Sequence, residues 1–203
     1  MMRSESRSRG LRGALCALAL LCGAVAPSVA DDAKRLTSIL IVARSKLPDP
    51  FFSDSVVLVM NNLAAGPVGL IINRPTEVSV SQLFPELKSL KELREKLYFG
   101  GPVEPEVVWF LVRTETPPGH AVKVCDGVYL SADRDLLLKL FGRSKPMEGL
   151  KVFVGHAGWA PGQLEAEINN GDWSSKRADS DGIFKGQREY AWPPPQHPPG
   201  DSI

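Results

Sequence analysis

Residues able to do chemistry are densest between Lys151 and Trp173, in the run KVFVGHAGWAPGQLEAEINNGDW. His156 can act as a base near neutral pH, and Gln163, Glu165 and Glu167 follow it closely. If the segment from Pro161 is helical, its first turn leaves backbone N–H groups without partners, and such groups attract anions. The run could therefore hold an anion or a polar group of a substrate. Asn73 and Arg74, in an upstream Asn-Arg-Pro-Thr turn, complete a candidate binding corner of His156, Trp159, Gln163, Glu165, Asn73 and Arg74. For Arg74 the plainer expectation is a pair with a surface carboxylate.

The elements that must position these groups can be read from the same residues. Lys151-Val152-Phe153-Val154 is a short β-favouring run, and Gly155 and Gly158 end it with backbone freedom that other residues lack. Pro161 suits the first turn of a helix. Leu164 and Ile168 then share a face, and Gly171 is placed to stop the helix. Trp159 and Trp173 bracket the helix and could clamp it to a sheet. On this reading the segment is a packing corner, which is favoured over a ligand site.

Several chemistries are poorly supported. There are three histidines, and His197 lies in a proline-rich tail, so a multi-histidine metal cage is implausible. A small metal site of His156, Glu165 and Glu167 is weaker than ordinary hydrogen bonding, and no cofactor is implied. Glu165 and Glu167 are two apart on a helix and point to different faces, which argues against a shared acid/base pair. No G-x-S-x-G elbow occurs, and dinucleotide and Walker fingerprints are absent. Gly100-Gly101-Pro102 lacks the strand-to-helix context of a phosphate loop.

Further elements follow from pattern. Thr37–Ala43 reads as a strand covered on both faces, and Ser55–Met60 and Val68–Ile72 as two more, joined by an Asn-Asn/Gly-Pro loop. Pro48 and Pro50 keep the PDPFF segment from being helical, and Phe51 and Phe52 are expected to anchor it in the core. Ser79–Phe84 begins a helical patch that Pro85 interrupts. Ser89-Leu90-Lys91-Glu92 fits a capping box for a helix with Leu90, Leu93 and Leu97 on one face. Val107–Val112 and Val122–Leu130 are expected strands, the second bent at Asp126-Gly127. Asp133 caps a helix through Leu140, and Gly142 stops it. Ile183-Phe184 and Tyr190-Ala191-Trp192 are short apolar landings that could form a last edge strand.

The first 30 residues read as a signal peptide: arginines at 3, 7, 9 and 12, an apolar Leu15–Val25 stretch too short to span a bilayer, and Ser28-Val29-Ala30 at the cleavage position. Residues 31–36 form a polar leader, 37–192 the folded domain and 193–203 a proline-rich tail. Removing the signal's four arginines and Glu5 from the 24 basic and 23 acidic residues leaves a formal net charge of −2. That gives no footprint for nucleic acid. Cys16 and Cys22 leave with the signal, so Cys125 stands alone and reads as a buried strand residue. These features predict an exported protein, periplasmic or secreted, with no integral membrane segment after cleavage.

GHAGWAPGQLEAEI with the following GDW closely resembles the signature of the YqgE/AlgH family of bacterial proteins. Leu47–Phe52 with Ser55–Leu58, Gly69–Thr76, Phe99–Val103, and Gly127–Leu130 with Asp133 resemble its other motifs in the same order. The resemblance implies an α+β domain whose bifurcated, largely antiparallel sheet forms a pseudo-barrel with flanking helices. No activity is established for the family as a whole; one branch is linked by name to alginate regulation, with a transcriptional role proposed. Two departures stand out: His156 sits where the family more often has an aromatic residue, and typical members look cytosolic. The reading is a non-enzymatic binding or regulatory module with an envelope protein as its possible partner and an unknown ligand. The alternatives are a hydrolase or lyase using His156 at the Gly155–Gly162 corner, and a transcriptional regulator on the family name alone.

Overall fold

A computed structural model describes residues 37–185 apart from 45, 46, 48, 50 and 62. The expected signal, leader and tail, and the Tyr190–Trp192 landing, lie outside the described residues. The chain forms a mostly antiparallel sheet curled into a half-barrel, with a few short helices against it.

β1 (Thr37–Ala43), β2 (Val56–Asn61) and β3 (Val68–Ile71) make an antiparallel meander. Their apolar residues alternate between two buried faces. Leu40, Val42, Leu58 and Leu70 face the inner core, while Ile41, Val57, Val59 and Ile71 face a second core on the other side. Near-continuous apolar strands are what two covered faces require.

β9 (Leu150–Gly158) is where the sheet forks. Along one edge it pairs with β6 (Val103–Arg113), from Val112↔Leu150 to Val103↔His156. Its other edge is shared: β5 (Lys96–Phe99) pairs with it in parallel at Phe153 and Val154, and β3 pairs antiparallel at Ala157 and Gly158. Gly155 makes the fork possible. Its φ is 69°, and a Cβ there would run into the Gly101 carbonyl oxygen.

β7 (Val122–Cys125) and β8 (Val128–Ser131) form a hairpin on β6 that reverses at Asp126-Gly127, where the sequence suggests one bent strand. α2 (Arg134–Phe141) is capped by Asp133, whose Oδ1 accepts from the Leu136 N–H at 2.7 Å, and it ends at Gly142. Leu137 and Phe141 of α2 cover the outer face of β6 and β9 through Phe110, Val112 and Val152. On the opposite side α3 (Gln163–Asn169) lays Leu164 over Ile41, Val57 and Ile71.

Three expectations are corrected. The helix expected at Ser89–Leu97 is only a 3-10 turn at Lys88–Leu90; Lys96–Phe99 is strand β5, because hydrogen bonding to β9 and to β4 (Pro75–Ser79) outweighs a local helical pattern. The capping box belongs instead to α1 (Val80–Leu83), where Ser79 and Gln82 bond reciprocally. Among the described residues the last strand is β10 (Trp173–Arg177), paired with β1, and Ile183-Phe184 lie in α4 (Ser180–Phe184), capped by Asp179. In the PDPFF loop Phe52 packs between Trp159 and Trp173, but Phe51 is 47% exposed.

Candidate functional site

The glycine corner is held together by Glu167. Trp159 and Trp173 each donate an indole N–H to Glu167 Oε2 at 2.9 Å, and Gln163 donates to Oε1 at 2.9 Å. The two indoles meet edge to face at 6.3 Å. Gln163 Oε1 in turn accepts from the Ala160 N–H at 3.0 Å. The expected tryptophan clamp is present, and its donors are spent on one carboxylate. The helix starts later than expected: Pro161 lies in a turn, Gly162 is the N-cap with φ 79°, and α3 begins at Gln163. Gly171, at φ 82°, follows the helix end as the sequence suggests.

The other candidate residues are dispersed. Glu165 is exposed on the first turn of α3, away from the Glu167 hub. His156 and Ala157 are neighbours on β9 and so point to opposite faces. Ala157 packs with Trp159, which puts His156 on the face away from that cluster. The imidazole lies edge-on to Trp109 at 6.1 Å, and its Nδ1 is 3.7 Å from Glu104 Oε2, beyond hydrogen-bond reach. That nitrogen is buried without a hydrogen-bond partner in the structure. Asn73 and Arg74 shape the PDPFF loop: Asn73 Oδ1 accepts from Val56 N and its amide donates to the Asp54 carbonyl, at 2.8 and 2.9 Å. Arg74 donates to the Phe51 and Ser53 carbonyls at 2.8 and 3.0 Å and so helps fix the path of that loop.

A different place offers open chemistry. A cavity of about 900 Å³ opens at one end of the curled sheet, between β5, β6, β9 and α4. Its lining includes Arg94, Lys96, Arg113, Lys145 and Lys151, with Glu95 and Glu148 as the carboxylates and Tyr98, Met147 and Phe184 among the apolar walls. Lys151 is only 9% exposed. Its Nζ sits 4.6 Å from the Tyr98 ring centre and makes one long contact, 3.4 Å, to the Ile72 carbonyl. Among the described residues no carboxylate pairs with it. Burial pushes the Lys151 ammonium down to about 8 from 10.5, and burial also raises the Tyr98 phenol, which stays protonated at neutral pH. The Arg113 guanidinium lies over the Phe184 ring at 5.2 Å.

This cleft escapes a linear reading because Tyr98, Arg113, Lys151 and Phe184 come from four separate elements and form no motif. One signal was available. Lys151 and Phe153 are two apart on a strand and share a face, so a core-facing Phe153 places the lysine on the core side as well.

The remaining nucleophile is quiet. Cys125 is half-buried, and its thiol is pushed up to about 11, by burial first and then by Asp179 and Asp126. It is overwhelmingly thiol at neutral pH. Among the described residues no group of three or more His, Cys, Asp or Glu side chains could hold a metal ion, and no helix is long and apolar enough to cross a membrane.

Comparison with known proteins agrees with this architecture. A solution structure of the AlgH protein from Pseudomonas aeruginosa superposes with a TM-score of 0.58 at 25% identity, covering 73% of this chain and 80% of that one. The crystal structure of protein DIP2367 from Corynebacterium diphtheriae shares the fold, with a TM-score of 0.59 at 24% identity over 74% of this chain and 80% of that chain. A UPF0301 protein of Xylella fastidiosa (strain M23) is 32% identical over 161 residues, 77% of this chain and 85% of its own length. One from Marinomonas sp. (strain MWYL1) is 36% identical over 148 residues, 71% and 78% respectively. The family model described as AlgH-like (DUF179) matches residues 39–194. The chain belongs to the AlgH-like family.

Proposed function

We propose that this chain is an exported, non-enzymatic binding module that takes a small anionic ligand in the Lys151 cleft. The observation that carries the reading is the Lys151 ammonium, 9% exposed and without a carboxylate partner among the described residues. A buried charge is costly unless it is paired, and an entering anion would supply the missing counter-charge. With Lys96 paired to Glu77 and Lys145 to Glu148, the lining still carries more cationic than acidic side chains, the right sign for an anion, and clefts at the mouths of curled sheets are common ligand sites.

Calorimetric titration with phosphate and a panel of small carboxylates tests the binding reading. Saturable binding of at least one anion, lost in Lys151→Met, is the expected result; indifference to the whole panel would sink it. Export rests on the arginine-rich start and the Leu15–Val25 apolar stretch. Cell fractionation should find a mature chain beginning at Asp31 in the envelope or medium, and a full-length cytosolic product would remove this part of the proposal.

A further inference from the structure

An ammonium needed only to attract an anion would lose least at the cleft rim, in contact with water, as Lys96 and Lys145 are. Lys151 instead stands on the inner face of β9, against Tyr98, with Tyr98 opposite Phe153 in the β5–β9 pairing. Desolvation there favours the neutral amine, the form that attacks carbonyl carbon, against the pull of the Tyr98 ring face on the charged form. With its ammonium pushed down to about 8, a substantial fraction is neutral amine at mildly alkaline pH.

A second cation is placed to hold the other end of a short ligand. The Arg113 N–H donates to the Gly149 carbonyl at 2.7 Å, two residues before Lys151 on β9, and Leu111 lies opposite Lys151. Arg113 and Lys151 are thus diagonal neighbours on one face of the sheet, with backbones roughly 7–8 Å apart. No side chain stands between them at position 149, because Gly149 is there with φ 64°, and a Cβ would press on Arg113. The Phe184 ring beneath the guanidinium limits where Arg113 can go. A guanidinium matches a carboxylate in shape and donors.

We propose that Lys151 captures a small 2-oxo acid as an imine, with the ligand's carboxylate held by Arg113. The inference rests on the anion-binding reading and names the ligand class for that cleft. The neutral Nζ adds to the carbonyl carbon, forming the C–N bond while the oxygen takes up a proton. The resulting carbinolamine then breaks its C–O bond and expels water, leaving a protonated imine. Counted from the ammonium, two N–H protons leave with the carbonyl oxygen as one water, and no oxidant or reductant takes part.

The test uses the full mature chain with pyruvate and sodium cyanoborohydride at pH 7.5, followed by intact mass measurement and peptide mapping. Expected is a reduced pyruvyl group at Lys151, distinguished by the mapping from any on the similarly basic α-amine, and formed at least about tenfold faster than at any exposed lysine, whose amines are almost wholly protonated at that pH. Arg113→Met should raise the pyruvate concentration needed for half-labelling without abolishing labelling, and Lys151→Arg, which keeps the charge but has no primary amine, should not label there. Mapping on the wild-type chain decides the question even if a variant folds poorly. Labelling scattered over surface lysines overturns the imine, as does pyruvate binding seen by calorimetry with no adduct; the second result leaves the anion site standing. Neither binding nor adduct, with no other anion bound, removes both.

Discussion

The glycine corner and the Lys151 cleft are built from similar materials and end in opposite states. Both bring aromatic rings, glycines and a charged side chain together beside β9. At the corner, Glu167 accepts from Trp159, Trp173 and Gln163, so the carboxylate and its donors satisfy one another. In the cleft, Lys151 has a ring face and one long carbonyl contact for company. The corner contributes stability and has little left to offer a ligand. The cleft carries an electrostatic cost that a ligand can relieve, the pattern expected where function competes with stability. Within the one distinctive stretch, the part around Glu167 satisfies its own polar groups, while Lys151 at its start leaves an ammonium with few partners.

The contrast breaks most visibly at Glu167. Glu167→Leu leaves two partly buried indole N–H groups and the Gln163 amide without their acceptor. It should destabilise the fold by about 3 kcal/mol or more, since the two indole bonds to the charged group alone are worth about 1.5–3 kcal/mol each. Urea unfolding measures this as a lower midpoint, and an unchanged midpoint would deny the corner its structural role. Lys151→Met should act in the other direction, stabilising by about 1 kcal/mol at pH 7 by removing a poorly compensated buried charge. A clear loss of stability there would mean that the Tyr98 contact outweighs desolvation.

A smaller effect sharpens the same comparison. Lys151 binds its proton less tightly in the folded chain, at about 8, than at the ordinary 10.5. Between those values the unfolded chain holds more protons at this site, so its contribution to stability rises with pH. The gain is complete above 10.5 and is lost as pH falls through about 8. Unfolding curves from pH 8 to 10.5 should therefore show a positive slope contribution in the wild type that Lys151→Met lacks; identical slopes would contradict the assignment.

Much of the frame was legible in the chain. β1 matches its apolar run, Asp133 and Gly142 bound α2 as read, and the two tryptophans clamp α3. Each of these depends on neighbours within one element or one turn, where period, capping and glycine placement act locally. The misreadings have a common cause. Leu90, Leu93 and Leu97 look helical on their own, yet Lys96–Phe99 pairs with β9, more than fifty positions away in the chain. Arg74 likewise bonds the Phe51 and Ser53 carbonyls of a loop whose path only the folded chain defines.

By itself, then, the sequence determined family, fold class and the local stops and caps, because those are set by residue type over short spans. Tertiary structure alone decided which face of β9 carries His156 and which carries the Glu167 cluster, and it alone joined Tyr98, Arg113, Lys151 and Phe184 around one cavity. The physical reason is that a buried amine's chemistry depends on desolvation and on the charges absent around it. Both are set by strand register and sheet curvature, which no stretch of adjacent residues encodes.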